Sequence, residues 1–355
     1  MNRRVQLSLK HTNKVKLQSL EELTQEMLRV KNLYIDKLWE QQEFGKKYVD
    51  FKVDTWLSAR LLQCIGKQAL ETVKSQRKRE TKTKPVCKNI GFTLDSRFVD
   101  IKFNLNTFDI WVKLSSLGNK LSLKLPSQRH KHFFKYANWK LKNTVFLRKV
   151  NNRFYLDLLF ENDIPVKDSG NTIGVDIGYH ELLISSDKQH CDTGLQQVYN
   201  KISRKKQGSH AFKRALIERN NKINESVNKL SLKGIKEVVA ENLKNVKFKT
   251  RVDNRLSKKF NNKLQRWSYP KVLNKLSYMC EENGVLLTLV NPAFTSQKCS
   301  KCGTICKTNR KGKLYKCACG LEIDADLNAS INISRMGVYS PHAQEKLENK
   351  EIYFE

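Results

Sequence analysis

Five of the nine cysteines fall between Cys299 and Cys319. Few features constrain a chain more, because two thiol pairs this close can close around one metal ion and force the backbone into tight knuckles. Cys299-Ser-Lys-Cys302-Gly is a CxxC-Gly knuckle, and Cys317-Ala-Cys319-Gly supplies a second pair after fourteen intervening residues. Four thiolates suit a tetrahedral, structural Zn2+ and leave no open position for catalysis. The second pair is CxC, tighter than the usual CxxC, so Cys306 stands as an alternative to one of its members. Cys64, Cys87, Cys191 and Cys280 are scattered and read as small buried hydrophobes. An odd total argues against a disulfide framework. The opening Met1-Asn-Arg-Arg-Val-Gln lacks the apolar core of a signal peptide, so a reducing cytoplasm is expected.

Charge narrows the partners. Lys and Arg outnumber Asp and Glu by 67 to 35, a formal net charge of +32. Self-repulsion of that size is costly unless a polyanion shares the surface, and nucleic acid is the usual one, bound with strong salt dependence. A membrane surface fits less well, because the cations are spread through folded-looking sequence. No apolar run approaches the roughly 18 residues that span a bilayer; Val285-Leu-Leu-Thr-Leu-Val290 has the length of a buried strand. With 39% hydrophobic residues in 355, the chain can bury two or three cores.

Periodicity organises the N-terminal half. Arg4 to Lys10 alternates apolar and polar residues, as a half-buried strand does. Leu20, Leu23, Met27, Val30, Tyr34 and Leu38 then follow at helical spacing, with Ser19 and Glu22 forming a capping-box pattern at the helix start. A second helix is expected over about 55–73, ending in the basic run Lys74 to Lys88. Alternation returns at Val99 to Leu105, Leu121 to Leu125, Val145 to Val150 and Arg153 to Phe160, the last two flanking an Asn151-Asn152 hairpin turn. The pattern predicts a small antiparallel β-barrel interrupted after its first strand by a helical insertion. Arg129-His-Lys-His-Phe-Phe-Lys-Tyr136 mixes cations with rings; it reads either as a base-stacking segment or as the aromatic edge of a core. Asp163 to Asn171, with Pro165 and Gly170, is a linker.

Chemistry begins beyond it. Asn171-Thr-Ile-Gly-Val-Asp-Ile-Gly178 puts Asp176 in an apolar strand, where an ionised carboxylate is expensive unless something such as a metal compensates it. Glu241 ends the β-branched run in Ile235-Lys-Glu-Val-Val-Ala-Glu-Asn-Leu243, and Glu237, earlier in that strand, is expected to be solvated. In Asp324-Ala-Asp-Leu-Asn-Ala-Ser-Ile-Asn-Ile333, Asp326 would open a helix that turns Ala329 and Ile333 inward. Three carboxylates brought together could hold Mg2+ or Mn2+ for phosphodiester hydrolysis, since all-oxygen ligands with retained waters suit those ions. Lys201 to Asn228, helical from Ser209 with Phe212, Leu216, Ile223 and Val227 at its spacing, carries eight basic and two acidic residues. Lys244 to Arg266 carries nine and one. Both flank the acidic motifs, as a site that must hold a negative strand near negative ligands requires.

The order Asp, Glu, Asp on strand, strand and helix resembles the ribonuclease H-like fold of the RuvC type; DDE transposases place their Glu last. Gly-Val-Asp176-Ile-Gly, Val-Val-Ala-Glu241-Asn-Leu, Thr-Ser-Gln-Lys-Cys299-Ser-Lys-Cys302-Gly and Asp-Ala-Asp326-Leu-Asn-Ala-Ser-Ile-Asn-Ile together resemble the TnpB proteins of insertion sequences and the related miniature type V CRISPR effectors. The similarity covers about Thr172 to Ser334.

The resemblance implies a multidomain α+β protein. Residues 1–12 and 88–165 would form the wedge β-barrel, 13–87 its helical recognition insertion, 171–295 and 321–340 the RuvC-like nuclease, 296–320 an inserted zinc ribbon, and 341–355 a tail. It implies an RNA-guided DNA endonuclease whose partners are a guide RNA and double-stranded DNA beside a short motif, cytoplasmic and nucleoid-associated. By the family pattern Asp176, Glu241 and Asp326 bind Mg2+ (or Mn2+), Asp326 being preferred to Asp324 because it stands two residues before Asn328, and Cys299, Cys302, Cys317 and Cys319 hold Zn2+. An RNA-guided repressor that does not cut, and a strand-joining transposase, are the alternatives.

Overall fold

In the computed structural model, described over residues 1–44, 49, 51–80, 82–105, 107–116, 121–179, 181–192, 194–243 and 267–338, the opening alternation forms β1 (Asn2–Ser8), which buries Val5 and Leu7. The helix that follows, α1 (Lys14–Glu40), starts six residues earlier than its capping-box pattern suggests. Asn13 is the N-cap and accepts a hydrogen bond from the Lys16 amide at 2.9 Å, whereas the Ser19 hydroxyl bonds back to the Val15 carbonyl inside the helix. A second helix, α2 (Ala59–Arg77), packs on it through Leu61, Ile65, Ala69 and Val73.

The rest of this unit is antiparallel sheet: β2 (Gly91–Leu94), β3 (Val99–Leu105), β4 (Phe108–Ser116), β5 (Leu121–Ser127), β6 (Lys140–Val150) and β7 (Arg153–Glu161), with the short helix α3 (Lys131–Phe134) before β6. Asn151 and Asn152 both take positive φ (49° and 60°), the geometry a two-residue turn between β6 and β7 demands. Among the described residues the strands pair as a four-stranded sheet, β1-β7-β6-β2, and a three-stranded sheet, β3-β4-β5. One apolar core joins both sheets to both long helices. In the mixed cationic and aromatic segment Phe133 and Tyr136 are buried, with the Arg129 guanidinium over the Phe133 and Phe103 rings, so these two aromatics belong to the core edge. The chain divides into two compact units, Met1–Asp163 and Ile164–Glu355.

The second unit is built on a four-stranded sheet ordered β11-β10-β8-β9, where β8 is Asn171–Asp176, β9 Ile184–Ser185, β10 Ile235–Glu241 and β11 Leu286–Val290. β10 runs parallel to both neighbours, and β9 returns antiparallel to β8. Helices α4 (Leu195–Ser203), α5 (His210–Val227, capped by Ser209) and α6 (Tyr269–Glu282) share a core with Ile173, Val175, Val238 and Ala240 on one face of the sheet. The opposite face carries Val239, which packs with Ile333 of α7 (Ala325–Val338). Between β11 and α7 lies a three-stranded antiparallel ribbon, β12 (Arg310–Lys311), β13 (Leu314–Lys316) and β14 (Glu322–Asp324).

Two glycines let α7 lie close on the sheet. A Cβ at Gly174 would stand 2.0 Å from the Ser330 carbonyl oxygen and 2.3 Å from the Ser334 nitrogen. One at Gly337 would stand 2.3 Å from Val239 Cγ2. The basic stretch Lys244 to Arg266 and the tail from residue 341 lie outside the described residues.

Candidate metal centres

Strand alternation decides which side chains face α7. Gly174 touches that helix, so Asp176, two residues on, lies on the same face of β8. On β10 the face of Val239 is shared by Glu237 and Glu241. The register pairs Ala240 with Val175, so Glu241 and Asp176 follow as the last residues of adjacent parallel strands, and neighbouring strands run about 4.8 Å apart. Ligands of open α/β sheets collect at such carboxyl ends. Asp326 stands in the first turn of α7 on this side. Asp324 caps the helix instead. Its Oδ1 accepts the Asp326 and Leu327 amides at 2.9 and 3.0 Å, at the N-terminus of α7.

The carboxylates feel one another. Burial first, then the charges of Glu241, Asp326 and Asp324, push the Asp176 carboxyl up to about 8, with Arg310 opposing them. Burial also raises Glu241, against the Thr295 hydroxyl and Arg310. Glu241 and Asp326 have each found a stand-in partner: Arg310 Nη2 lies 2.6 Å from Asp326 Oδ1, and Thr295 Oγ1 donates to Glu241 Oε1. Tyr269 secures the strand end, its hydroxyl donating to the Glu241 carbonyl and accepting the Leu243 amide at 3.2 Å. Like charges with few compensating cations suit an all-oxygen divalent site. The donor set fits Mg2+ or Mn2+.

Glu237 departs from expectation. It is buried, not solvated, and accepts from Thr172 Oγ1 at 3.1 Å and Thr288 Oγ1 at 2.6 Å on the flanking strands. It supports the sheet beneath α7 and stands apart from the strand ends.

The thiols form the second centre. Cys299, Cys302, Cys317 and Cys319 bring their sulfurs within 4.8 Å of one another. Among the described residues no other group of three or more His, Cys, Asp or Glu ligand atoms meets in this way, the three carboxylates included. Cys299–Cys319 and Cys302–Cys317 are each 3.6 Å apart. A tetrahedron of about 2.3 Å Zn–S bonds has edges of about 3.8 Å, so the set fits zinc. The Thr304 hydroxyl and amide draw the Cys302 thiol down, while its neighbour Cys317 is raised, so the two thiols titrate as a pair. Cys306 is outside the group and contacts Thr308 Oγ1 at 3.1 Å. Buried Tyr315 packs with Cys299 and Ala325, and its hydroxyl donates to the Gln297 carbonyl at 3.0 Å.

The two centres are tied together. Asn328 of α7 accepts the Ser300 amide at 2.9 Å and donates to the Lys298 carbonyl at 2.9 Å. Asn332, one turn on, donates to the Thr295 and Lys298 carbonyls at 3.0 and 2.7 Å. The first cysteine knuckle thus sits on the helix that bears Asp326.

Residues 269–333 match the family described as Cas12f1-like, TNB domain. The CRISPR-associated endodeoxyribonuclease Cas12f1 of Sulfoacidibacillus thermotolerans is 45% identical over 73 residues, 20% of this chain and 17% of that protein. A TnpB-like protein of Methanocaldococcus jannaschii is 33% identical over 99 residues, 27% of this chain and 34% of its own. Over these stretches the chain is similar to TnpB-like and Cas12f1 proteins. The aligned stretches span from about a sixth to about a third of those two relatives. The mixed α/β architecture extends further: a Cas12f1 solved with sgRNA and target DNA superposes with a TM-score of 0.62 over 93% of this chain and 84% of that one, at 13% identity, a likeness of fold.

Within the matched segment two residues escape a reading of sequence alone. Thr295 and Arg310 reach the carboxylates from the loop after β11 and from the ribbon, and nothing in their local pattern marks them. The one signal was the compact Thr295-to-Cys299 motif, which placed Thr295 next to the knuckle.

Proposed function

We propose that this chain is an RNA-guided DNA endonuclease that cuts phosphodiesters with divalent metal ions. The observation that carries the reading is the placement of Asp176 and Glu241 at the ends of adjacent parallel strands, with Asp326 of α7 on the same face and close enough to raise Asp176. In this reading residues 171–295 and 321–340 are a RuvC-like nuclease, 296–320 a zinc ribbon held by Cys299, Cys302, Cys317 and Cys319, and 1–12 with 88–165 a wedge barrel carrying the helical segment 13–87. Asp176, Glu241 and Asp326 hold the ions. A divalent ion held there would supply Lewis acidity for an attacking water and for the leaving oxygen. Thr295 orients Glu241, and Arg310 brings positive charge to the place where a phosphate must approach three carboxylates.

Charge supports the substrate class. An excess of +32 matches a strand of phosphates. Gln197, Asn200, Lys201, Arg204 and Lys205 line a basic hollow of about 340 Å3 on α4, suited to the same backbone. A guide RNA would pair with one DNA strand, and the protein would hold the duplex by its shape. No helix among the described residues is long and apolar enough to cross a membrane. The test is plasmid linearisation by the purified protein with its co-purifying RNA and a matched target, with and without Mg2+. Asp176→Ala and Glu241→Ala are expected to abolish cutting while RNA binding survives; cutting retained by both would overturn the assignment.

A further inference from the structure

In the loop after β11, Phe294 is 56% exposed and adopts φ +63°, the left-handed region. A bulky residue is an outlier there, and glycine would occupy the position at lower cost. The surroundings hold the strain: the Phe294 carbonyl accepts the Gln297 and Lys298 amides at 3.0 and 2.9 Å, and the next residue is held with its Oγ1 3.1 Å from the Pro292 carbonyl oxygen. Thr295 itself is buried and bonds Glu241. A strained backbone that presents a ring to solvent, one residue from the partner of a candidate metal ligand, contributes nothing to the core. Strain of this kind gathers at functional sites.

We propose that Phe294 is a stacking platform for a nucleobase of the single DNA strand brought to the carboxylates. The inference rests on the nuclease reading above, which supplies the strand. Every base has a π-face, so one exposed ring grips any sequence. That tolerance suits a protein whose sequence reading is delegated to RNA pairing. It also completes a division of labour: Arg310 meets the backbone charge, and Phe294 holds the base beside it.

The test uses the full chain with its co-purifying RNA, in Ca2+ to prevent cutting, and two fluorescent probes. One is a short single-stranded DNA of mixed sequence; the other is a base-free chain of the same length. Phe294→Gly removes the ring and relieves the backbone, so it separates stacking from folding. We expect Phe294→Gly to melt no lower than wild type, to lose about tenfold in affinity for the base-bearing probe, and to match wild type on the base-free probe. Phe294→Trp should retain the base-bearing affinity. If wild type and Phe294→Gly bind the base-bearing probe equally, the platform assignment falls and the nuclease reading stands. If wild type binds neither probe, the nucleic-acid reading falls and takes the platform with it.

Discussion

Gly174→Ala is expected to disable the carboxylate site without touching a charge. The new Cβ would sit 2.0 Å from the Ser330 carbonyl oxygen and 2.3 Å from the Ser334 nitrogen, whereas real Cβ atoms keep at least 3.0 Å, so α7 must retreat by about 1 Å. Overpacking of this kind costs ~1–3 kcal/mol, which lowers the melting midpoint of a unit this size by several degrees. The larger effect is on chemistry. Asp326 rides on α7, and a misplacement of about 1 Å can cost about a hundredfold in rate. The assay is plasmid cleavage by the RNA-bound protein, with melting and zinc content measured in parallel. Zinc should stay bound, and shaving Ser330 or Ser334 to alanine should not rescue activity, because the obstructing atoms are backbone. Cleavage by Gly174→Ala at the wild-type rate would refute the claim that close packing of α7 sets the site.

Other outcomes follow from the same geometry. Cys317→Ser should lose zinc and melt lower, whereas Cys306→Ser should keep about one zinc per chain; metal analysis of both purified variants checks this. Glu237→Ala should leave the Thr172 and Thr288 hydroxyls without their acceptor and lower stability by ~1–3 kcal/mol, read by thermal unfolding. Burial and the neighbouring carboxylates push the Asp176 carboxyl up to about 8, far above its ordinary value of 3.8. The folded state therefore binds the extra proton, and this one group's contribution to stability is fully present below about pH 4 and is lost as pH rises through about 8. Added Mg2+ should raise the melting temperature more at pH 8 than at pH 6, and Asp176→Asn should flatten the metal-free pH dependence.

The architecture was readable where one interaction dominates. Alternation marked β1, β3, β6 and β7 because each buries one face, and the Asn-Asn turn carried its own conformational signature. Local rules failed where two patterns compete. Ser19 and Glu22 fit a capping box, yet Asn13 caps α1 because the preceding turn is also helix-compatible. Glu237 looked solvated because its threonine partners lie on β8 and β11, far away in sequence. Asp176 and Glu241 stood out as polar ends of apolar strands, whereas the preference for Asp326 over Asp324 came from the family pattern; that Asp324 accepts two helix amides depends on where α7 begins, which the sequence leaves open. Arg310 and Gly174 matter through contacts made only after the ribbon and α7 fold back onto the sheet, so no local pattern announces them.

The most direct test of a shared divalent site is a Mn2+-soaked crystal structure with anomalous diffraction data. The account predicts an anomalous peak touched by oxygens of Asp176, Glu241 and Asp326, with Arg310 released from Asp326. Manganese bound elsewhere, or held by one of the three alone, would contradict it.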